Sequence, residues 1–399
     1  MPLVVTDNTI YLVKKILYVT PKNPWDNKYG GAIRNNHIIK GLCKYYDVHV
    51  ALTSTNMFER ESFINLAPLD RVKLHLLNEA SSNTSNKKTP VHLYYLAGLL
   101  GYGRFNESLF EIMRVLDPDL VWYFQKHSLR SAGFPDKTPF ILDLDNVNWN
   151  LLKRTAQYQS GKHKFLTSIK MYLSYFEERI LVRRASLTVI SNPDEQNKLP
   201  THNKVTAIDN GFNFSKDLEV NKARNQRILF FGSLFYYPNL DGLLWFCDKI
   251  WPIILTRRPE SKLDIVGHVN DMKDIEGVVK LPGIRFHGFV EDIDPFIKTN
   301  ACLVVPLRIA SGTRVKILES WAKGLPVVST TLGAEGLGAS NHHSILTGDT
   351  PDEFADASLR ILNDPKLGTQ LAKNAFLYSK DKYNWDSIYS KIKLAVQSL

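Results

Sequence analysis

From Ala301 to Thr330 the chain reads ACLVVPLRIASGTRVKILESWAKGLPVVST. The order is apolar strand, tight loop, helix, apolar strand, and the chemistry-bearing residues cluster where the loop meets the helix. Ser311, Gly312 and Thr313 come first, followed by Arg314, Lys316 and Glu319. Serine is a good N-cap, and glycine lets a ligand approach the backbone closely. The free N–H groups and partial positive charge of a helix N-terminus suit a phosphate. Arg314 and Lys316 add fixed positive charge beside it, and Glu319 is a carboxylate able to accept from ribose hydroxyls. Gly324 is the expected helix terminator, with Pro326 behind it. A second reading uses the same residues: Lys316, Glu319 and Lys323 have the spacing of a solvated ion-pair stripe. Spacing alone leaves both open; the Ser-Gly-Thr loop favours a ligand.

Two further loops have the same setting. The run RILFFGSLFYYPNLDGLLWF ends a strand at Phe231 and opens toward a helix on Gly232 and Ser233. His287-Gly288-Phe289 follows another apolar run, either flanking a nucleobase or making a structural turn. In an open parallel sheet the crevice at the C-terminal strand ends is where ligands bind. Upstream, PFILDLDNV places Asp143 and Asp145 near a strand end, with Asp145 the better candidate for a reactive carboxylate and a cap of the next helix as its alternative. The same residues form an Asp-x-Asp string of the kind that holds metals. Asp292 and Asp294 repeat it in another loop, as short acidic strings do by chance, so no metal is expected.

Positioning these groups requires a layered α/β scaffold. The chain has 399 residues, 44% apolar and 23% charged, which is globular and long enough for two domains. Strand-like runs at Lys15–Thr20, Asp47–Thr53, 120–124, 140–144 and 187–191 alternate with helical stretches such as Ala32–Tyr46. A second series begins at Arg227 and continues through KLDIVG, GIRFHGF, CLVVPL and LPVVST. Such alternation predicts parallel sheets covered on both faces. The expected division is a first domain over 1–213, a charged linker over 214–226, a second domain over 227–380, and a C-terminal helix over 381–399 that packs back on the first domain. Residues 1–13 read as a loose extension.

The net charge of +10 calls for negatively charged partners. From 151 to 184, Lys153, Arg154, Lys162, Lys164, Lys170, Arg179, Arg183 and Arg184 are interleaved with Leu, Phe and Tyr. That composition suits an anionic membrane surface as well as a solvated helix face. Three scattered cysteines make no metal or disulfide framework. The apolar run at Leu93–Leu100 is too short to span a bilayer, and no signal segment is evident, so the expected location is cytoplasmic, with the inner membrane face as a candidate docking place.

The residues from Lys15 onward resemble the retaining glycosyltransferases of family four, group 1, with the GT-B fold. Gly30-Gly31 match the paired glycines of that family's first loop, and Asp209-Asn210-Gly211 matches its PNG sequence. Glu319 matches the second glutamate of the family pair, and AKGLPVVST matches the tail that follows. Ser311 stands where the first glutamate would be, and the basic residues usual after the Gly232 position are missing. The resemblance implies two Rossmann-like doubly wound parallel-sheet domains facing across a cleft. It implies a nucleotide-diphosphate sugar as donor, bound by Gly232, Ser233, Gly288, Ser311, Gly312, Thr313, Arg314, Lys316 and Glu319. A glycan or lipid-linked acceptor would lie near Gly30, Gly31 and Asn210. Catalysis would fall to Asp145, Arg314 and Lys316, the latter two stabilising charge that grows on the diphosphate. No cofactor and no metal are implied. The alternatives are a nucleotide-sugar epimerase of the same fold and a basic nucleic-acid-binding protein. No nucleic-acid motif supports the latter, and no G-x-G-x-x-G follows the first strand, which disfavours a NAD enzyme.

Overall fold

The computed structural model describes residues 3–6, 9–25, 30–54, 61, 63, 72–76, 107–135, 137–200, 205–218 and 226–399. The apolar run at Leu93–Leu100 and most of the charged stretch after 218 lie outside them. The chain divides into two compact units, Met1–Asn210 with Asp386–Leu399, and Gly211–Trp385. Each is an α/β domain.

In the first unit β1 (Leu3–Thr6) and β2 (Thr9–Leu12) pair antiparallel. The residues expected as a loose extension thus form a small ladder, because their β-branched and apolar runs favour extended pairing. The main sheet holds β3 (Lys15–Thr20), β4 (Asp47–Leu52), β5 (Val72–Leu76), β6 (Leu120–Phe124), β7 (Phe140–Asp145), β8 (Leu187–Ile190) and β9 (Val205–Ala207). Its strands are parallel, in the order β5-β4-β3-β6-β7-β8-β9. Helices α1 (Gly30–Cys43), α2 (Glu107–Leu116), α3 (Gln125–Ala132), α4 (Asn148–Gln157) and α5 (Gly161–Arg184) connect them. Most of these strands are buried along their length, which explains their near-continuous apolar sequences.

The second unit repeats the plan with β10 (Arg227–Phe231), β11 (Lys262–Val266), β12 (Ile284–Gly288), β13 (Cys302–Val305), β14 (Val327–Ser329) and β15 (Leu346–Thr347). The order is β12-β11-β10-β13-β14-β15, again all parallel. The helices are α6 (Tyr237–Trp245), α7 (Trp251–Arg257), α8 (Glu276–Val279), α9 (Asp294–Thr299), α10 (Val315–Ala322), α11 (Pro351–Asn363), α12 (Pro365–Tyr383) and α13 (Trp385–Gln397), nearly all of the last belonging to the first unit. Phe212 and Phe214, just past the division, pack with the core of the second unit, Phe214 edge-on to Phe376.

In both sheets the strand order reverses once, between β3 and β6 and between β10 and β13. That reversal opens a crevice at the C-terminal strand ends. In the second unit the crevice is walled by glycines. Gly232, Gly267 and Gly288 end or follow β10, β11 and β12, and Gly232 and Gly288 have φ of 148° and 69°. The Gly267 amide donates to the Gly288 carbonyl at 2.8 Å, and a Cβ on Gly267 would lie 2.0 Å from the Gly232 oxygen. The strand ends are therefore closed on one another with no room for a methyl group. Gly267→Ala should destabilise the protein by about 1–3 kcal/mol, the usual range for overpacking. Gly277→Ala, where an added Cβ meets nothing within 4 Å, should be neutral to slightly stabilising. Equilibrium urea unfolding of the two variants checks the contrast.

Candidate functional site

The loop leaving β10 and the loop leaving β13 flank the crevice of the second unit. Helix α10 begins at Val315, so Lys316 sits in its first turn. Its side chain is partly buried and turns inward. The ammonium donates to Asn239 Oδ1 at 2.9 Å, lies 5.3 Å from the centre of the Phe230 ring, and occupies the space a Gly232 side chain would need. Asn239, on α6, is itself fixed by donating from Nδ2 to the Ser233 carbonyl at 2.9 Å. Burial pulls the Lys316 ammonium down from the ordinary lysine range to about 7. The Ser233 hydroxyl beside this cluster is buried and has no hydrogen-bond partner among the described residues. Lysine, glycine backbone, hydroxyl and helix N-terminus together form a compact cationic corner suited to a phosphate or diphosphate.

Both loops are braced from outside. Arg308 grips Asp241 of α6 through Nη2 at 2.8 Å and Nε at 3.1 Å. Gly242 of α6 comes so close to the Pro306 carbonyl that a Cβ would lie 2.6 Å from that oxygen. Arg314 is buried; its guanidinium donates to the carbonyls of Gly312 and Leu332 and lies 3.5 Å from the Glu335 carboxylate. Gly312 takes a φ of 73°, which favours glycine. Beyond β12, His287 Nε2 donates to the Asp264 carboxylate at 2.8 Å while Arg227 holds the same carboxylate, and Phe289 stays exposed.

In the first unit a buried ionic cluster sits under the strand ends. Arg34 of α1 is 1% exposed and binds both Asp143 oxygens at 3.1 Å through Nη2. Its Nη1 donates to the Ile208 carbonyl at 2.7 Å and to Asn210 Oδ1 at 2.9 Å. Asp145 lies one pleat further on, with Oδ1 3.7 Å from Arg34 Nε. Its φ of 61° is the left-handed conformation, uncommon outside glycine and concentrated at functional sites. Burial pushes the Asp145 carboxyl up to about 6, against the pull of Arg34 and with the help of Asp143.

Comparison with known proteins adds the decisive observation. Residues 225–364 match the family described as Glycosyl transferases group 1. The match spans 140 of the 399 residues, all within the second unit. The chain is similar to an "Uncharacterized 44.6 kDa protein in cps region" of Klebsiella pneumoniae, 24% identical over 42% of this chain and 45% of the relative. It is also similar to an uncharacterized glycosyltransferase of Haemophilus influenzae, 25% identical over 47% and 53%. The chain thus spans about half the length of the curated relatives it matches. Among solved structures, a sucrose-phosphate synthase from Thermosynechococcus elongatus superposes with a TM-score of 0.71 at 15% identity, covering 96% of this chain and 98% of that one. Anabaena Alr3699/HepE in complex with UDP and glucose gives 0.62 at 15% identity, covering 97% and 100%. The fold is GT-B, with two parallel-sheet α/β units.

Within the segment that matches this family the structure gathers Gly232, Ser233 and Lys316. Ser311, expected as the N-cap of α10, does not fill that place: Arg314 does, three residues later and without a side-chain cap. Arg314, expected to carry the diphosphate, has its guanidinium on the Gly312 and Leu332 carbonyls and near Glu335, which ties its loop to the segment after β14. Glu319 bonds Lys323 at 2.8 Å, and Lys323 also binds Asp294. The expected surface stripe therefore exists at its C-terminal half only, Lys316 being turned inward. Gly324 takes a φ of 71° as the helix terminator. Gly30 and Gly31 form the first turn of α1 instead of a loop. Asp145 does not cap α4, whose cap position is Val147. Both Asp-x-Asp strings have protein partners, Asp143 on Arg34 and Asp294 on Lys323.

Sequence reasoning missed Asn239 and Arg34. Each has a signal of the same kind, a polar residue on a helical stripe that is otherwise apolar. Arg34→Ala would leave the buried Asp143 carboxyl without its ion-pair partner, a loss of about 3–5 kcal/mol. Adding Asp143→Ala should recover part of it. Urea denaturation of the two single variants and the double variant measures the coupling, and additive losses would show that the pair acts independently.

Proposed function

We propose that this chain is a retaining glycosyltransferase of the family-four kind that transfers a sugar from a nucleotide-diphosphate donor to a glycan or lipid-linked acceptor. The observation that carries this reading is the Lys316 ammonium, held by Asn239 against the Gly232 turn at the strand-order reversal of the segment that matches the group 1 family. The HepE structures, which hold UDP and UDP-glucose on a similar fold, support a uridine diphosphate donor.

The chemistry follows from the corner. The bond from the anomeric carbon to the diphosphate lengthens first, leaving an oxocarbenium-like sugar, and negative charge grows on the departing oxygen. Lys316, the Ser233 hydroxyl and the first amides of α10 would meet that charge with donors already in place. The acceptor hydroxyl attacks the face the diphosphate leaves, which retains configuration, and its proton passes to the departing phosphate. Asp145, a carboxyl raised to about 6, is the residue of the first unit proposed to act on the acceptor side. Glu319 is the proposed ribose ligand once released from Lys323. With Lys316, charged once the diphosphate binds, and the α10 amides as the proposed diphosphate donors, no metal is proposed, and activity should survive a strong chelator. The reported relatives lend the epimerase alternative no support.

Donor binding should be linked to protonation. The free amine is half charged near pH 7, and a diphosphate beside it favours the charged form. UDP affinity should then fall as pH rises above 7, by up to tenfold per unit, until the raised pKa of the bound state is passed. Calorimetry of UDP binding in two buffers of different ionisation enthalpy should show uptake of about half a proton at pH 7. Lys316→Met should abolish that uptake and slow hydrolysis of UDP-glucose. The donor assignment fails if uptake and affinity are unchanged in the variant. A release of free UDP with an altered, unattached sugar would instead reinstate the epimerase.

A further inference from the structure

Helix α5 is built the wrong way round for a helix of a soluble domain. Its acidic residues are inside: Glu177 and Glu178 are fully buried, with Lys126 Nζ at 3.1 Å and 2.9 Å from them and Arg130 on Glu177. Ser174 joins this network through Lys126 at 2.9 Å and Asn148 at 2.9 Å. Four of its large apolar residues are outside: Phe165 is 65% exposed, Ile169 41%, Tyr172 60% and Phe176 54%. Their spacing of four, three and four residues puts them on one helical face, a row about 16 Å long. Leu166 beside them is exposed as well.

Neither the packing of the unit nor the helix's own stability calls for that row. The buried ion network already fixes α5, and exposed apolar residues in a contiguous row mark an interaction surface. The charges around it decide the partner. With both acids buried and paired, every remaining charged side chain of α5 is basic: Lys162, Lys164, Lys170, Arg179, Arg183 and Arg184. Two copies meeting through this face would bring like charges together. An anionic lipid surface meets both features, accepting the apolar row among its acyl chains and the basic residues at its headgroups. Among the described residues no helix is long and apolar enough to cross a membrane, so α5 would lie on it. We propose that the outer face of α5, from Phe165 to Phe176, docks the protein on an anionic membrane. The inference stands independently of the donor chemistry, because it uses none of the residues placed there.

The test uses the full chain and vesicles of phosphatidylcholine, with or without phosphatidylglycerol. Sedimentation should show binding to the anionic vesicles only, weakening as salt rises. Replacing Phe165, Tyr172 and Phe176 together by Gln should lower the affinity at least tenfold while leaving the unfolding midpoint unchanged, since all three are exposed. Replacing Lys162 and Arg183 by Gln should cost about fivefold for each charge removed. The three native cysteines are buried, so a Phe176→Cys variant can take an environment-sensitive fluorophore, whose emission should rise on the anionic vesicles. Three results would overturn the proposal: no binding to anionic vesicles, equal binding by the triple Gln variant, or a wild-type dimer in light scattering that the triple variant renders monomeric.

Discussion

A lysine ammonium turned inward and partly buried beside a strand end sets the terms for the second unit. Keeping a cation in such a place costs free energy unless something nearby compensates, and here one side-chain carbonyl, that of Asn239, is the named acceptor. Each neighbouring element serves that arrangement. Gly232 has no side chain where the amine sits, and α6 brings Asn239 down on the Ser233 carbonyl. Helix α10 starts one residue before the lysine. Arg308 and Arg314 keep the intervening loop in the one path that allows it. The result is a charge poised between its two protonation states, which an incoming anion would settle.

The first unit handles charge by a different rule. Arg34 does not lose its proton near neutrality, so it must be matched, and Asp143, Asn210 and the Ile208 carbonyl match it. The match leaves Asp145 as the residue with an unusual backbone and a raised carboxyl pKa. A buried pair such as Arg34–Asp143 adds little net stability, but it makes the neighbouring geometry hard to change.

Most of the strands and their order of appearance were legible in the sequence because buried parallel strands read as unbroken apolar runs. CLVV, LVWYF and RILFF need no structural knowledge to find. The crevice was legible at the level of loops, through Gly232, Gly288 and Gly312. Which way a long side chain turns was not. Arg314 and Lys316 are two residues apart in one short stretch, yet one braces a loop and the other lines the corner. That difference depends on Leu332 and Asn239, some 18 and 77 positions away, and no local pattern carries it. The same holds for Glu319, whose partner Lys323 was visible as spacing while the inward turn of Lys316 was not. The ladder at residues 3–12 was missed because two four-residue strands are too short to show a period.

Residues 386–399 belong with residues 1–210, although the whole of the second unit lies between them in the chain. Tyr389 of α13 bonds His37 at 2.8 Å and fills the space above Gly41, and Lys391 binds Asp209. On a ribosome the amino-terminal unit therefore cannot be finished first, as a vectorial order would have it. It must wait, with the α1 surface uncovered, while the second unit is made, on the order of ten seconds or more at ordinary elongation rates. The amino-terminal unit is completed after the second unit has been made, and the nascent chain has to carry that open face until residues 386–399 arrive.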